Sequence, residues 1–210
     1  MIDPAMSWTP PEPEAFPPIP LHKIVAFGAM AWDADGPKWL RCLGGELQAE
    51  GYEKRALQEF AAKFNAHEPT LVTWNGRGFD VPVIVARCLH HRIPLPRLWR
   101  QSDYFRRYSA KRHVDLQDQL IQTGAGRSYK LDLASKLIGR GGKGAVTGDQ
   151  VAGLWDAYDF DAIRTYVLSD VMETAHVWVR WMEQTGEMTP EQHDAAVEQL
   201  DALEEAQGGQ

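Results

Sequence analysis

The feature that most constrains this chain is a short apolar run that breaks at a glycine-rich turn and restarts as a helical pattern. Residues 71–74 favour a strand, the turn reads Asn-Gly-Arg-Gly, and a helix is predicted over residues 81–91. Asp80 therefore lies where a strand of an α/β sheet ends, which is the edge at which such sheets usually bind ligands. Asp is also a preferred helix N-cap, and Pro82 lies just inside the predicted helix. Two interpretations of Asp80 stay open, a capping residue and a functional carboxylate.

The order of the predicted elements indicates an α/β domain with a mixed sheet. The first two strands are joined by an Asp- and Gly-containing turn that is typical of a hairpin. Residues 113–120 are ambiguous between strand and helix. The other predicted elements are strands at 23–32, 38–45 and 70–74, and helices at 52–67, 81–91, 130–139, 159–183 and from 190 onwards.

Composition divides the chain into three parts. Residues 1–20 are rich in proline, which excludes helices and central strands, and they form an extended segment or a remnant of a first strand. Residues 21–185 contain the α/β pattern and are expected to form one domain. Residues 186–210 are expected to form a C-terminal helix with an acidic tail, and the helix begins with a capping box at Thr189 and Gln192.

A tyrosine and an aspartate lie four residues apart on the longest predicted helix. This interval places the Tyr166 phenol and the Asp170 carboxylate on one helix face. Seen alone, the pair is equally typical of a buried tyrosine and a surface acid. Together with Asp80, it forms a set that suits a site for hard cations such as Mg²⁺ or Mn²⁺, which prefer carboxylate oxygen.

Basic residues are concentrated in the middle of an otherwise acidic chain. The formal net charge of −7 argues against a broad basic surface for nucleic acid. Residues 87–143 nevertheless contain 13 Lys and Arg against four Asp and Glu. Among them, Arg106, Arg107 and Arg112 alternate with aromatic residues, a composition that can hold a single nucleic-acid strand by phosphate contacts and base stacking. A solvated charged surface is the alternative. Lys111 belongs to the same group, and the aromatic residues are Tyr104, Phe105 and Tyr108.

Two motifs and two flanking segments resemble the 3′-5′ exonuclease domain of family B DNA polymerases, in the ribonuclease H-like superfamily. Residues 74–82 are similar to the second exonuclease motif of that family, and residues 166–170 are similar to the third. Residues 128–139 resemble the Ser-Tyr-x-Leu-Asp helix between these motifs, and residues 17–32 resemble the segment before the second strand. The resemblance covers residues 17–182 and is closest to free-standing predicted exonucleases related to this domain.

The resemblance implies a ribonuclease H-like fold of the DEDD exonuclease type, with a mixed β-sheet flanked by helices, and metal-dependent removal of nucleotides from 3′ ends. Asp80 and Asp170 correspond to ligands of a two-ion Mg²⁺ or Mn²⁺ site, and Tyr166 corresponds to the residue that orients the attacking water. Asn75 and Phe79 correspond to residues that shape the pocket or hold the substrate. The implied partner is nucleic acid, with DNA favoured over RNA. A single-stranded or frayed 3′ end is favoured, because the terminal nucleotide must enter a cleft.

The resemblance is incomplete at the first motif of the family, an Asp-x-Glu on the central strand that contacts both ions. Asp3 could stand for its aspartate, but Ala5 then occupies the glutamate position. Asp33 and Asp35 fall in the predicted hairpin turn, where Asp is favoured for conformational reasons. Asp115 is expected to support the site, or else to be a helix cap or a surface acid. The first motif is therefore truncated or degenerate, and the alternative function is a catalytically impaired pseudo-exonuclease that binds nucleic acid or a partner protein.

Nothing in the sequence predicts secretion or membrane insertion. The longest apolar runs are too short for a transmembrane helix, and no basic segment followed by an apolar one opens the chain. Cys42 and Cys88 form no CxxC pattern and are expected to be buried thiols in a reducing compartment. A cytoplasmic location is therefore expected.

Overall fold

Two pairs of strands form the β-structure in the part of the chain that the computed structural model describes. β1 (Gly28–Asp33) and β2 (Gly36–Cys42) form the predicted antiparallel hairpin, and the side chain of Asp33 accepts a hydrogen bond from the Asp35 amide in its turn. β3 (Leu71–Thr73) pairs in parallel with β4 (His113–Asp115). The described residues are 3, 11–12, 16–141 and 147–208.

The α/β class is confirmed, but the arrangement of the strands differs from the expected one. The described strands form two two-stranded sheets, whereas the resemblance implied a single mixed sheet. A sheet order depends on contacts between distant segments, and a strand pattern alone carries no information about which strand becomes the neighbour.

Helices pack against both of these sheets. Those predicted over 52–67, 130–139 and 159–183 are present and agree with the observed bounds to within two residues. None of the described helices combines the length and apolar character that a membrane span needs. The helices are α1 (Tyr52–His67), α2 (Asp80–His90), α3 (Pro96–Arg100), α4 (Leu116–Leu120), α5 (Leu131–Leu137), α6 (Val151–Asp156), α7 (Phe160–Gln184) and α8 (Pro190–Gly208).

The long helix α7 holds the two sheets together. It contacts β1 and β2 of one sheet and β3 of the other, and α5, α6 and α8 pack against it. Gly28 permits the close approach of β1, because a Cβ atom there would lie 3.0 Å from the Val167 carbonyl oxygen and 3.0 Å from the Val171 side chain. The position of the hairpin relative to Tyr166 and Asp170, on the same helix, therefore depends on this contact.

A buried ionic network joins α1 to α2. The Arg87 guanidinium donates to both Glu53 oxygens, at 2.8 and 2.7 Å, and to the Asp3 carboxylate at 2.9 Å. Glu53 also accepts from the Ile24 amide and contacts the His91 ring, each at 2.7 Å. Burial raises the pKa of Glu53, but the bonds from Arg87 and His91 outweigh it, so the pKa is lowered overall. The network therefore holds charged groups in the core.

Candidate functional site

A wide cleft between β1 and β3 contains five of the residues that the sequence analysis singled out. Its volume is about 2280 Å³, and it is lined by β1, β3, the start of α2, one face of α7 and side chains from α1. Asn75, Phe79, Asp80, Tyr166 and Asp170 all line it. Segments that are some ninety residues apart in sequence therefore contribute to one concave surface.

Asp115 holds the turn that leads from β3 into α2. Its carboxylate accepts hydrogen bonds from the backbone amides of Asn75 at 2.9 Å and Arg77 at 2.8 Å. Asn75 has a φ of 59°, a left-handed conformation that Asn tolerates better than most residues. Gly76 is required, since a Cβ atom there would lie 2.3 Å from the Thr73 hydroxyl. The Asn-Gly-Arg-Gly sequence and the Asp115 carboxylate together stabilise this turn.

Asp115 also caps α4, accepting from the Asp118 amide at 3.4 Å. It is 1% exposed, and burial raises its pKa against the opposing effect of the backbone hydrogen bonds. The expectation that Asp115 caps a helix is confirmed. The same carboxylate holds the turn before α2, so one buried acid performs two structural tasks at the edge of the cleft.

Arg77 points away from the cleft and fastens a neighbouring loop. Its guanidinium donates to the backbone carbonyls of Tyr104, Ser109 and His113. His113 is fully buried, and burial together with the Arg77 charge lowers its pKa to about 4, so its ring is neutral near pH 7. Arg77 therefore stabilises the fold, whereas Asp80, three residues later, faces the cleft.

Asp80 faces the cleft and does not cap the helix that it begins. The N-cap position is Phe79, and no side chain caps the start of α2. The Asp80 side chain is exposed at the surface of the cleft. The protein that surrounds this side chain nevertheless displaces much of its hydration, which raises its pKa. The negative charges of Asp115 and Asp170 raise the pKa further, to about 6. Asp80 and Asp170 are thus close enough to repel each other.

The ionisation of Asp80 should destabilise the folded chain. Its folded pKa of about 6 exceeds the value of about 4 in an unfolded chain. Between these two values the unfolded chain releases the proton while the folded chain retains it, so stability falls as pH rises from about 4 to 6. Asp80→Asn removes this loss and should raise the free energy of unfolding by about 1 kcal/mol above pH 6, after allowance for solvent screening.

Urea unfolding of both chains between about pH 3 and pH 8 measures the difference. The stability gain of Asp80→Asn should vanish at about pH 3, where wild-type Asp80 is largely protonated in both states. A gain that is equal at about pH 3 and pH 8 would contradict the charge explanation.

Tyr166 and Asp170 lie one turn apart on α7, and both side chains line the cleft. Trp178, further along the helix, also lines the cleft and packs edge-on against Trp32 of β1, with ring centroids 5.1 Å apart. Phe79 approaches from the opposite side and contacts Phe16 and His22 edge-on, with ring centroids 5.8 and 5.1 Å away. The walls of the cleft are therefore largely aromatic and aliphatic around a few acidic groups.

The three arginines predicted to grip a nucleic-acid strand lie outside the group of residues that line the cleft. Each already contacts an acidic side chain or a backbone carbonyl. Of the interleaved aromatic residues, Tyr104 is buried and donates to the Pro69 carbonyl, while Phe105 and Tyr108 are exposed. The partners are Asp103 for Arg106 at 3.6 Å, Asp118 for Arg107 at 2.9 Å and the Glu68 carbonyl for Arg112 at 2.9 Å.

Lysines supply positive charge within the cleft. Lys111 and Lys130 are exposed and line it. Lys130 belongs to the segment before α5, which Trp74 and Tyr129 hold against β3 by edge-on packing at 5.5 Å. Lys111 lies in the segment whose composition predicted contacts with a nucleic-acid strand, whereas Lys130 was not singled out. The concentration of basic residues over 87–143 was a usable signal, but it could not separate those facing the cleft from those on the outer surface.

The carboxylates of Asp80 and Asp170 have the chemistry of a divalent-cation site. Burial is the main cause of the raised pKa of Asp80, and the repulsion from Asp170 that adds to it is what a bound cation would relieve. Asp3 was the tentative third ligand, but the structure places its carboxylate on Arg87. Asp33 lies in the hairpin turn with Lys38 at 2.9 Å. The described residues therefore contribute two of the acids that the implied two-ion site would require.

One further group of metal-type side chains lies elsewhere in the described part of the chain. His176 on α7 and Asp201 and Glu204 on α8 are close enough to share an ion. Arg140 already forms ion pairs with Asp201 at 3.4 Å and Glu204 at 2.9 Å. Its guanidinium supplies the positive charge that these acids need, so the group serves to attach α8 to α7.

Comparison with known proteins gives one match. A family model described as a predicted 3′-5′ exonuclease related to the exonuclease domain of PolB matches residues 14–210. No curated protein and no solved structure matches the chain.

Proposed function

Because the chain belongs to the family of predicted 3′-5′ exonucleases related to the exonuclease domain of PolB, we propose that it hydrolyses phosphodiester bonds at DNA 3′ ends with the help of a divalent cation. One observation carries the proposal: Asp80, Tyr166 and Asp170 line the same cleft. The carboxylates of Asp80 and Asp170 lie close enough to repel each other. Pairs of carboxylates in a cleft are a usual arrangement for holding a cation at a phosphate.

Each of these residues has a defined task in the proposed reaction. Asp80 and Asp170 would hold Mg²⁺ or Mn²⁺, which supplies Lewis-acid polarisation of the phosphate when bound. The Tyr166 hydroxyl, one helical turn from Asp170, orients the attacking water. Asn75 and Phe79 lie on either side of the turn before α2 and hold the terminal nucleotide beside Asp80.

A single strand of DNA is the substrate that we propose. The cleft is wide and open, and Lys111 and Lys130 are exposed within it, where they can contact phosphates. Arg106, Arg107 and Arg112 lie on the outer surface and would contact the strand only beyond the cleft. The rest of the lining is largely apolar, so an unpaired base fits it better than a stiff duplex.

A pseudo-exonuclease is the second candidate, and one observation favours it. Asp3, the remaining acid considered for the first motif, is neutralised by Arg87 in the core. Without a third carboxylate beside Asp80 and Asp170, the chain would bind a cation weakly and hold DNA without cutting it.

A nuclease assay separates the two candidates. A 5′-labelled single strand incubated with the chain and Mn²⁺ should give a ladder of products shortened from the 3′ end. A matched strand with phosphorothioate linkages at its 3′ end should resist degradation. Retained strand binding without a ladder would assign the chain to the pseudo-exonuclease class, and loss of both would contradict either proposal.

A further inference from the structure

Two aromatic side chains stack on each other at the outer surface of the molecule. Trp99 of α3 and Phe105, which follows that helix, have ring centroids 5.0 Å apart and an angle of 29° between the rings. Trp99 is 63% exposed and Phe105 is 44% exposed, whereas their neighbours Leu98 and Tyr104 are buried in the core. Neither ring lines the cleft. The pair therefore presents aromatic surface to solvent beside well-packed residues.

The segment that carries Phe105 is attached firmly to the rest of the protein. The Arg77 guanidinium donates to the carbonyls of Tyr104 at 3.1 Å and Ser109 at 2.8 Å. The Tyr104 hydroxyl donates to the Pro69 carbonyl at 2.7 Å. The exposure of the aromatic pair is therefore a feature of the folded backbone, and a ligand that contacts the pair has little chain to immobilise.

The same segment is strongly basic. Residues 97–112 contain six Lys and Arg and one acid. Arg100 is exposed, and Arg106 is 68% exposed, with its contact to Asp103 at 3.6 Å. Because exposed ion pairs contribute little free energy, Arg106 can exchange Asp103 for a phosphate at small cost. Lys111, near the end of the segment, lines the cleft. The basic segment therefore continues from the aromatic pair to the cleft.

We propose that Trp99 and Phe105 form a second contact site for single-stranded DNA, in which an unpaired base extends the aromatic stack and Arg100 and Arg106 contact the neighbouring phosphates. A single strand repeats flat bases and negative charges at short intervals, which matches exposed rings beside guanidinium groups. A duplex does not offer this match, because neighbouring base pairs cover its base faces. The inference rests on the proposed function for the identity of the ligand and adds a site outside the cleft.

The second site holds the strand whose 3′ end lies in the cleft. Both sites include residues of one basic segment, so one strand can occupy them together. Binding at one site raises the effective concentration of the strand at the other site. A strand long enough to reach both sites is therefore bound more tightly than a strand confined to the cleft, and this gain depends on the aromatic pair.

Binding of a 5′-labelled single strand of about 30 nucleotides, measured by fluorescence anisotropy in EDTA, tests the site without hydrolysis. Trp99→Ala and Phe105→Ala should each weaken binding at least about fivefold, because each removes a ring from the stack. Trp99→Phe keeps a ring and should stay within about twofold of the parent. Tyr158→Ala removes a 79% exposed aromatic residue between α6 and α7 and should bind as the parent does.

The two arginines provide a test that does not depend on the aromatic variants. The double variant Arg100→Gln and Arg106→Gln changes only exposed side chains and should keep the fold. The slope of log affinity against log salt should become shallower by about 1.4, since each phosphate contact on a single strand contributes about 0.7. An unchanged slope would overturn the proposed phosphate contacts.

Parent-like binding in Trp99→Ala and Phe105→Ala, an equal loss in Tyr158→Ala, or a parent chain that binds no strand would overturn the proposal. So would a parent dimer that Trp99→Ala and Phe105→Ala convert to monomers, because a second copy would then cover the rings. A product ladder with Mn²⁺ and parent-like binding in both variants would reject this site alone. Weakened binding in both variants without a ladder from the parent would support this site and reject the proposed hydrolysis.

Discussion

Asp80→Ala and Asp170→Ala are each expected to lower the rate of 3′-end hydrolysis by about a thousandfold or more. Each variant removes one of the two carboxylates that would hold the cation, and the stabilisation of transition-state charge by a metal is worth several kcal/mol. A thousandfold rate loss corresponds to about 4 kcal/mol, which is within that range. Single-turnover degradation of a labelled strand in Mn²⁺ measures the effect.

Two controls separate loss of the site from loss of the fold. Asp201→Ala removes an acid from the group on α7 and α8 and should leave the rate unchanged within about threefold. The double variant of Asp80 and Asp170 should be no slower than either single one, because groups that act as a unit are not additive. Rate losses that multiply, or an equal loss in Asp201→Ala, would contradict a shared site of Asp80 and Asp170.

Arg87→Met should cost about 3–5 kcal/mol of folding stability, the largest loss that we expect from any single substitution here. Arg87 is 2% exposed and donates three hydrogen bonds to two buried acids. Met keeps much of the volume but leaves Glu53 and Asp3 buried, with the positive charge that paired with them removed. Urea unfolding at pH 7 measures the loss.

The pH dependence of this loss identifies its cause. The lowered pKa of Glu53 contributes stability that is present above its unfolded value and lost as pH falls. The cost of Arg87→Met should therefore shrink as pH falls below about 4, the value of Glu53 in an unfolded chain. Arg97→Met, which removes an exposed partner of Glu68, should cost less than about 1 kcal/mol. Equal costs for the two variants, or a cost independent of pH, would contradict the proposed role of the network.

Local patterns predicted the helices well, and the reason is physical. The bounds of α1 match the prediction, and those of α7 differ by one residue at each end, because an apolar face at helical spacing is a local property. Residues 113–120 were ambiguous for a related reason, since β4 passes directly into α4 and two periodicities share eight residues.

Local patterns could not predict the contacts between segments that are distant in sequence. The pairing of β3 with β4 joins segments some forty residues apart, and the ion pair of Asp3 with Arg87 joins segments more than eighty apart. Composition predicted strand contacts for the arginines at 106, 107 and 112, but it cannot tell which side of a loop borders the cleft. These arginines lie outside the cleft lining. The presence of Asp80, Tyr166 and Asp170 in one cleft was reached by resemblance and could not have come from periodicity.

The affinity of the chain for Mn²⁺ tests the central claim most directly, because it requires neither turnover nor DNA. We expect a site that calorimetry detects in the parent chain and that weakens at least tenfold in Asp80→Asn and in Asp170→Asn. Asp201→Asn should bind Mn²⁺ as the parent does. Equal affinity in the parent and in both cleft variants, or loss of binding in Asp201→Asn alone, would contradict a cation site between Asp80 and Asp170.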